Sequence, residues 1–76
     1  MLIMNQKRTR LTNLDNVVAI VKDITSDEGK IQYWADTTTN DTFKIGEYEN
    51  TPEHENMLDR IAQCAGAINV FYMPEE

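Results

Sequence analysis

Seventy-six residues, 41% hydrophobic and 26% charged, carry enough apolar material for one core and are expected to form a single domain spanning 1–76. These proportions exclude a disordered chain, and the longest apolar run, Val17 to Val21, is stopped by Lys22 and Asp23 long before it could cross a bilayer. Thirteen acidic against seven basic side chains, net −6, argue against a nucleic-acid partner, because such binding draws most of its affinity from Lys and Arg on phosphates.

Leu2-Ile3-Met4 reads as a strand. The start of the chain lacks the basic-then-apolar order of a signal peptide, so a cytoplasmic location is expected. A polar turn through Asn5, Gln6 and Lys7 leads to an alternating segment, Arg8 to Thr12, with the character of a second short strand. Asn13-Leu14-Asp15-Asn16 has turn chemistry, since Asn and Asp bond their own backbone. Val17 to Ile24 is rich in β-branched residues and carries apolar side chains on both faces at first, which predicts a central strand. Ser26 to Gly29 is a turn, with Gly29 able to adopt positive φ. Lys30 to Thr37 is the next strand, with Ile31, Tyr33 and Ala35 on one face and Gln32, Trp34 and Asp36 on the other. A turn at Thr38 to Asp41 precedes a strand from Thr42 to Glu47 that points Phe43 and Ile45 inward, and Gly46 suggests a bulge or bend.

The period then changes. Thr51 can cap a helix, Pro52 suits its first position, and Glu53 and Glu55 complement its dipole. Met57, Leu58, Ile61, Ala62, Cys64 and Ala65 follow a single apolar stripe, and Gly66 is a plausible stop. The helix would hold about 14 residues, ~21 Å. Ile68 to Met73 has strand composition and ends at Pro74. These pieces predict an α+β fold: an antiparallel sheet of about four to five strands with one helix packed on one face. The parity of each strand stays open. Val18, Ile20 and Trp34 are candidates for an uncovered face, unless the C-terminal segment covers it.

Four short motifs occur in a particular order: Ile3-Met4-Asn5-Gln6, Leu14-Asp15-Asn16-Val17, Ile45-Gly46-Glu47-Tyr48 before the helix, and Tyr72-Met73-Pro74-Glu75 near the end. In this ordering the chain resembles a family of short uncharacterised proteins of Firmicutes and their phages and prophages. The resemblance implies the same fold and a mobile-element origin. That family carries no assigned activity, so no functional residue is transferred.

Residue by residue, no catalytic apparatus emerges. His54 lies between Glu53 and Glu55, but successive helical residues point in different directions, and no Cys/His spacing of a zinc site exists, which favours a surface histidine over a metal ligand. Cys64, the only cysteine, can make neither an internal disulfide nor a thiolate zinc site, and near a helix C-terminus it reads as a small buried hydrophobe rather than a reactive thiol. The carboxylate pairs Asp27-Glu28, Glu47 with Glu49, Glu53 with Glu55, and Glu75-Glu76 sit in turns and ends, where they form a solvated rim rather than an acid and base across a cleft. Lys7, Arg8 and Arg10 cluster in sequence, as a solvated turn or a phosphate site. The three glycines are isolated, so no phosphate-cradling loop is present.

The favoured reading is a non-enzymatic interaction module, without metal or cofactor, that binds a protein partner or itself through an uncovered sheet face and a strand edge. Trp34, Tyr33, Ile20 and Tyr72 are its expected contact residues. A domain this small buries only about 60–65% of its unfolded surface, which makes oligomerisation a natural source of further burial. A host macromolecule is a fitting partner if the origin is a mobile element, and an acidic chain can occupy a nucleic-acid groove by mimicry. The alternative is a small-ligand binder or minimal enzyme with a pocket at a homodimer interface.

Overall fold

The computed structural model describes residues 1–25, 29–65 and 69–76. In chain order they form β1 (Leu2–Met4), β2 (Leu11–Asn13), a 3-10 turn (Leu14–Asn16), β3 (Val17–Thr25), β4 (Lys30–Thr37), β5 (Thr42–Glu49), α1 (Pro52–Glu55), α2 (Met57–Cys64) and β6 (Val70–Tyr72). The expected turn at Ser26 to Glu28, the helix stop at Gly66 and the strand start at Ile68 lie outside the described residues. Gly29 does take positive φ, at 62°.

The class is α+β, but the single sheet of four to five strands is not what forms. Six strands divide into two sheets of three, ordered β2-β1-β6 and β3-β4-β5. The second is the antiparallel meander expected from its short connections. The first is mixed: β1 pairs antiparallel with β2 and parallel with β6, setting Leu2 opposite Val70 and Ile3 opposite Phe71. Parallel pairing needs a crossover of a dozen or more residues. Here the crossover is the whole stretch between Met4 and Val70, and its helical segment takes the chain from β5 to β6.

The two sheets and α2 close over one core. Ile3, Ile31, Tyr33, Ala35, Ile45, Tyr48, Met57, Ile61, Phe71 and Met73 are its buried residues. The central strand of the meander is β4, whose alternation buries Ile31, Tyr33 and Ala35. The expectation that β3 is central is therefore corrected: β3 is an edge strand, and its apolar residues on both faces reflect exposure on one of them. A register shift in the β3–β4 pair between Val17 and Ala19 leaves Val18 as an extra residue. The β4–β5 shift between Tyr33 and Trp34 leaves Ile45 extra, beside the predicted bulge glycine Gly46.

The helix is broken at Asn56 (φ −98°, ψ 23°) into segments of four and eight residues rather than running for about 14. A continuous helix would commit the His54 and Glu55 carbonyls to amides four residues on. Here Tyr33 donates its hydroxyl to the His54 carbonyl, and Lys22 donates from Nζ to the Glu55 carbonyl at 3.2 Å. Two strand side chains thus take the acceptors that helix continuity needs. Thr51 makes no side-chain cap; its hydroxyl instead lies 3.1 Å from His54 Nδ1.

Candidate interaction edge

Every open sheet presents unpaired backbone groups along its outer strands, and these are sites for pairing with another chain unless they are short, covered or charged. The four outer strands here differ sharply. β2 and β6 are three residues each. β5 is covered at Ile45–Glu47 by Gln6. The Gln6 amide nitrogen donates to the Ile45 carbonyl (2.9 Å), its Oε1 accepts from the Glu47 amide (2.7 Å), and its Nε2 donates to the Glu47 carbonyl (2.9 Å). Gln6 therefore acts as a strand surrogate. Its Nε2 also donates to the Glu75 carbonyl at 3.1 Å, which ties the C-terminal segment to the same place.

β3 is different: nine residues long, it pairs only with β4 among the described strands. Among the described residues, five large hydrophobics are exposed, and three of them are on this strand: Val18 at 67%, Val21 at 43% and Ile24 at 48%. Its one lysine does not guard the edge, because Lys22 turns back to α1.

The cross-strand register assigns faces. Ile20, Lys22 and Ile24 lie opposite Ala35, Tyr33 and Ile31 and share the core side, whereas Ala19, Val21 and Asp23 lie opposite Asp36, Trp34 and Gln32 on the outer side. One outer row reads Val21, Trp34, Lys44 across the three strands. Trp34 Nε1 donates to Gln32 Oε1 (3.3 Å), Gln32 Nε2 donates to Glu47 Oε1 (2.8 Å), and Lys44 Nζ donates to the same oxygen (3.2 Å). These bonds stabilise the Glu47 carboxylate and hold it below its ordinary pKa, the Gln32 bond most. The outer face is thus polar toward β5 and apolar toward β3, so its apolar part adjoins the open edge.

The four expected contact residues do not form one patch. Tyr33 is corrected outright: its side chain is fully buried, and burial pushes its hydroxyl pKa up. Ile20 is half-buried and packs against the core. Trp34 is half-buried on the outer face, beside Val21. Tyr72 is exposed at 57%, on β6 of the other sheet, with the Arg8 guanidinium 5.4 Å from its ring centre. Sequence reasoning gave the exposed role to aromatic size. It missed Val21 and Ile24 because it placed β3 centrally, and that no described strand lies on the far side of β3 was not readable from β3 itself.

The other candidates have structural tasks. Arg8 donates from Nη1 to the carbonyls of Asn5 (3.0 Å) and Met73 (2.6 Å), and pairs with Glu75 at 3.5 Å. Arg10 lies over the Phe43 ring, 3.8 Å from its centre. Two of the three clustered cations are thus engaged inside the fold. His54 stacks on Tyr48 at 4.8 Å, and its Nδ1 lies 2.9 Å from the Glu49 carbonyl. Among the described residues, no three His, Cys, Asp or Glu side chains gather as a metal site. Cys64 is half-buried against the core. No described helix is long and apolar enough to cross a membrane.

Two of the open clefts among the described residues are the roomier ones. One, about 400 Å³, lies between Arg10, Thr12, Thr38, Asp41 and Phe43; the other, about 390 Å³, between Gln6, Arg8, Lys44, Glu47 and Glu75. In the first, hydroxyls satisfy the local turn, as in Thr37 with Thr39 (3.0 Å) and the Asp41 amide donating to Thr37 (3.2 Å). The second is walled by the Arg8–Glu75 and Lys44–Glu47 ion pairs. In the first cleft Thr39 Oγ1 also donates to Asp41 Oδ2 at 3.3 Å, within an exposed turn. Compared with known proteins, the chain matches no protein family, no curated protein and no solved structure, so the reading of its surface rests on this geometry.

Proposed function

We propose that the chain is a small non-enzymatic protein-interaction module that binds its partner by strand addition along β3. The carrying observation is that β3 combines length, exposed apolar side chains and an edge that no other described strand pairs with, whereas β5 is covered and β2 and β6 are short. In strand addition, backbone hydrogen bonds supply affinity and alternate side chains supply selectivity. Val21 and Trp34 would provide the apolar contact on the outer face, and Ile24, exposed on the other face, a second contact at the hairpin end. A mobile-element origin, as the resemblance implies, suits a host protein as the target.

The test is paired affinity capture with the wild-type protein and Val21→Lys as baits. Lysine on an edge strand blocks pairing while leaving the hairpin intact. A protein retained by the wild type and lost with the variant supports the reading. Equal retention by both baits overturns it.

A further inference from the structure

We infer that the cleft between β2 and the turn joining β4 to β5 is a binding site for a small zwitterion, the head of a free α-amino acid, with its carboxylate on Arg10 and its ammonium group on Asp41. No described residue of β3 lines this cleft, so its ligand and a strand docked on β3 occupy different places. Arg10 is held in position on both sides. Its amide donates to Asn5 Oδ1 (3.0 Å), and its carbonyl accepts from the Asn5 amide (3.0 Å). Its guanidinium lies over Phe43, 3.8 Å from the ring centre. The ring fixes the guanidinium without using its N–H groups, and among the described residues that guanidinium makes no hydrogen bond or ion pair. Arg8, Lys22 and Lys44, by contrast, each donate to an oxygen of the fold. Arg10 is thus a positioned planar fork with its donors unspent, which is what two-point recognition of a carboxylate requires.

Asp41 lines the same cleft, and its backbone is fixed as well: its carbonyl accepts from the Thr37 amide at 2.9 Å and its amide donates to Thr37 Oγ1 at 3.2 Å. Its carboxylate accepts a bond from Thr39, and no ion pair joins it to Arg10. One cleft of about 400 Å³ therefore holds two opposite charges that do not neutralise each other. A simple anion such as phosphate would satisfy Arg10 but meet the Asp41 carboxylate, and a simple cation would do the reverse. A molecule with a carboxylate and an ammonium group side by side matches both. The volume lies within the range of about 300–1,000 Å³ typical of small-molecule sites. Thr38 closes the floor by donating its amide to the Asn16 carbonyl at 2.9 Å, which ties the β4–β5 turn to the 3-10 turn. Thr12, Thr38 and Asn16 also line the cleft, so hydroxyls and an amide surround the two charges and suit a polar amino-acid side chain.

The test is an NMR titration of the full chain, labelled with nitrogen-15, against each of the proteinogenic L-amino acids in turn, to about 10 mM. At least one is expected to move the Arg10, Thr12 and Thr38 amide signals along a saturating curve. For that amino acid, the N-acetyl derivative, which lacks the ammonium group, and the carboxamide, which lacks the carboxylate, should each bind at least about tenfold more weakly. Asp41→Asn and Arg10→Gln should weaken the parent amino acid to a similar extent while the other amide signals keep their positions. Asp41→Asn removes a charge from an exposed turn, so it reads the site even if Arg10→Gln loosens the contact with Phe43. No saturating shift with any amino acid overturns the inference. So does equal binding of the N-acetyl derivative, unchanged binding in Asp41→Asn, or saturating shifts confined to residues outside this cleft.

Discussion

The ring of Tyr48 lies directly over the α-carbon of Gly46, so close that a methyl group there would come 2.7 Å from Tyr48 Cε2 and 2.8 Å from its hydroxyl oxygen. The ring cannot easily yield. Its hydroxyl donates to the Pro74 carbonyl (2.7 Å), it meets Tyr33 edge-on, and His54 stacks on it. Gly46→Ala should therefore destabilise the fold by about 1–3 kcal/mol, the range for overpacking a filled core. Chemical denaturation of a double-mutant cycle checks this: in a Tyr48→Ala background the same Gly46→Ala change should cost much less.

Gln6 should matter more than its partial exposure suggests. Gln6→Ala removes two bonds to the Glu47 backbone and one to the Glu75 carbonyl, at about 1 kcal/mol each, so a loss of about 2–3 kcal/mol is expected in denaturant unfolding. Gln6→Glu keeps the size but loses the Nε2 donor and sets a carboxylate against two carbonyl oxygens. It should be the worse of the two at neutral pH. Hydrogen exchange at the Glu47 amide should accelerate in both variants.

Alkaline pH should find Tyr48. Burial pushes its pKa up to about 12, against 10.0 for the free side chain. The folded protein thus keeps a proton that the unfolded chain gives up. The stabilisation is complete below pH 10 and is lost as pH rises from 10 through about 12, amounting to roughly 2–3 kcal/mol. Spectrophotometric titration of tyrosinate should show a late-ionising step that is missing from Tyr48→Phe. A Tyr48 step at its ordinary position would contradict the packing described.

Acid acts on the opposite side of neutrality, at Glu47. Its folded pKa is lowered from 4.5, first by the Gln32 amide and then by Lys44. The stabilisation is present above pH 4.5 and fades as pH falls through the lower folded value. NMR titration of the Glu47 side chain should move upward toward 4.5 in Gln32→Ala, and further in Gln32→Ala combined with Lys44→Ala.

Local chemistry made most of the elements legible. The alternation of Ile31, Tyr33 and Ala35 placed β4 residue by residue, and Gly46 marked a bulge where one occurs. What escaped depends on residues distant in the chain. The break at Asn56 arises from Tyr33 and Lys22 reaching across to the His54 and Glu55 carbonyls, and no helical pattern contains that information. Gln6 reads as a turn residue until β5 is laid beside it. The candidate edge was half visible: the apolar run was plain, but its exposure depends on which strands lie next to β3. Three of the four motifs behind the family resemblance turn out to touch one another, through Gln6, through Gly46 with Tyr48, and through Pro74 and Glu75. Their roles here are architectural.

The parallel pairing of β1 with β6 has a consequence for synthesis. Leu2 waits for Val70 and Ile3 for Phe71, so on a ribosome the first strand emerges long before the one that completes its sheet. The meander can close while translation continues, since its contacts are local. β1 can pair early with β2, but its other edge stays open until β6 has been made, and closing the span from Met4 to Val70 carries the entropic cost of a very long loop. Nascent-chain intermediates of this protein should therefore expose Ile3 and the inner face of β4 together, a surface that a holdase would recognise and the finished fold conceals.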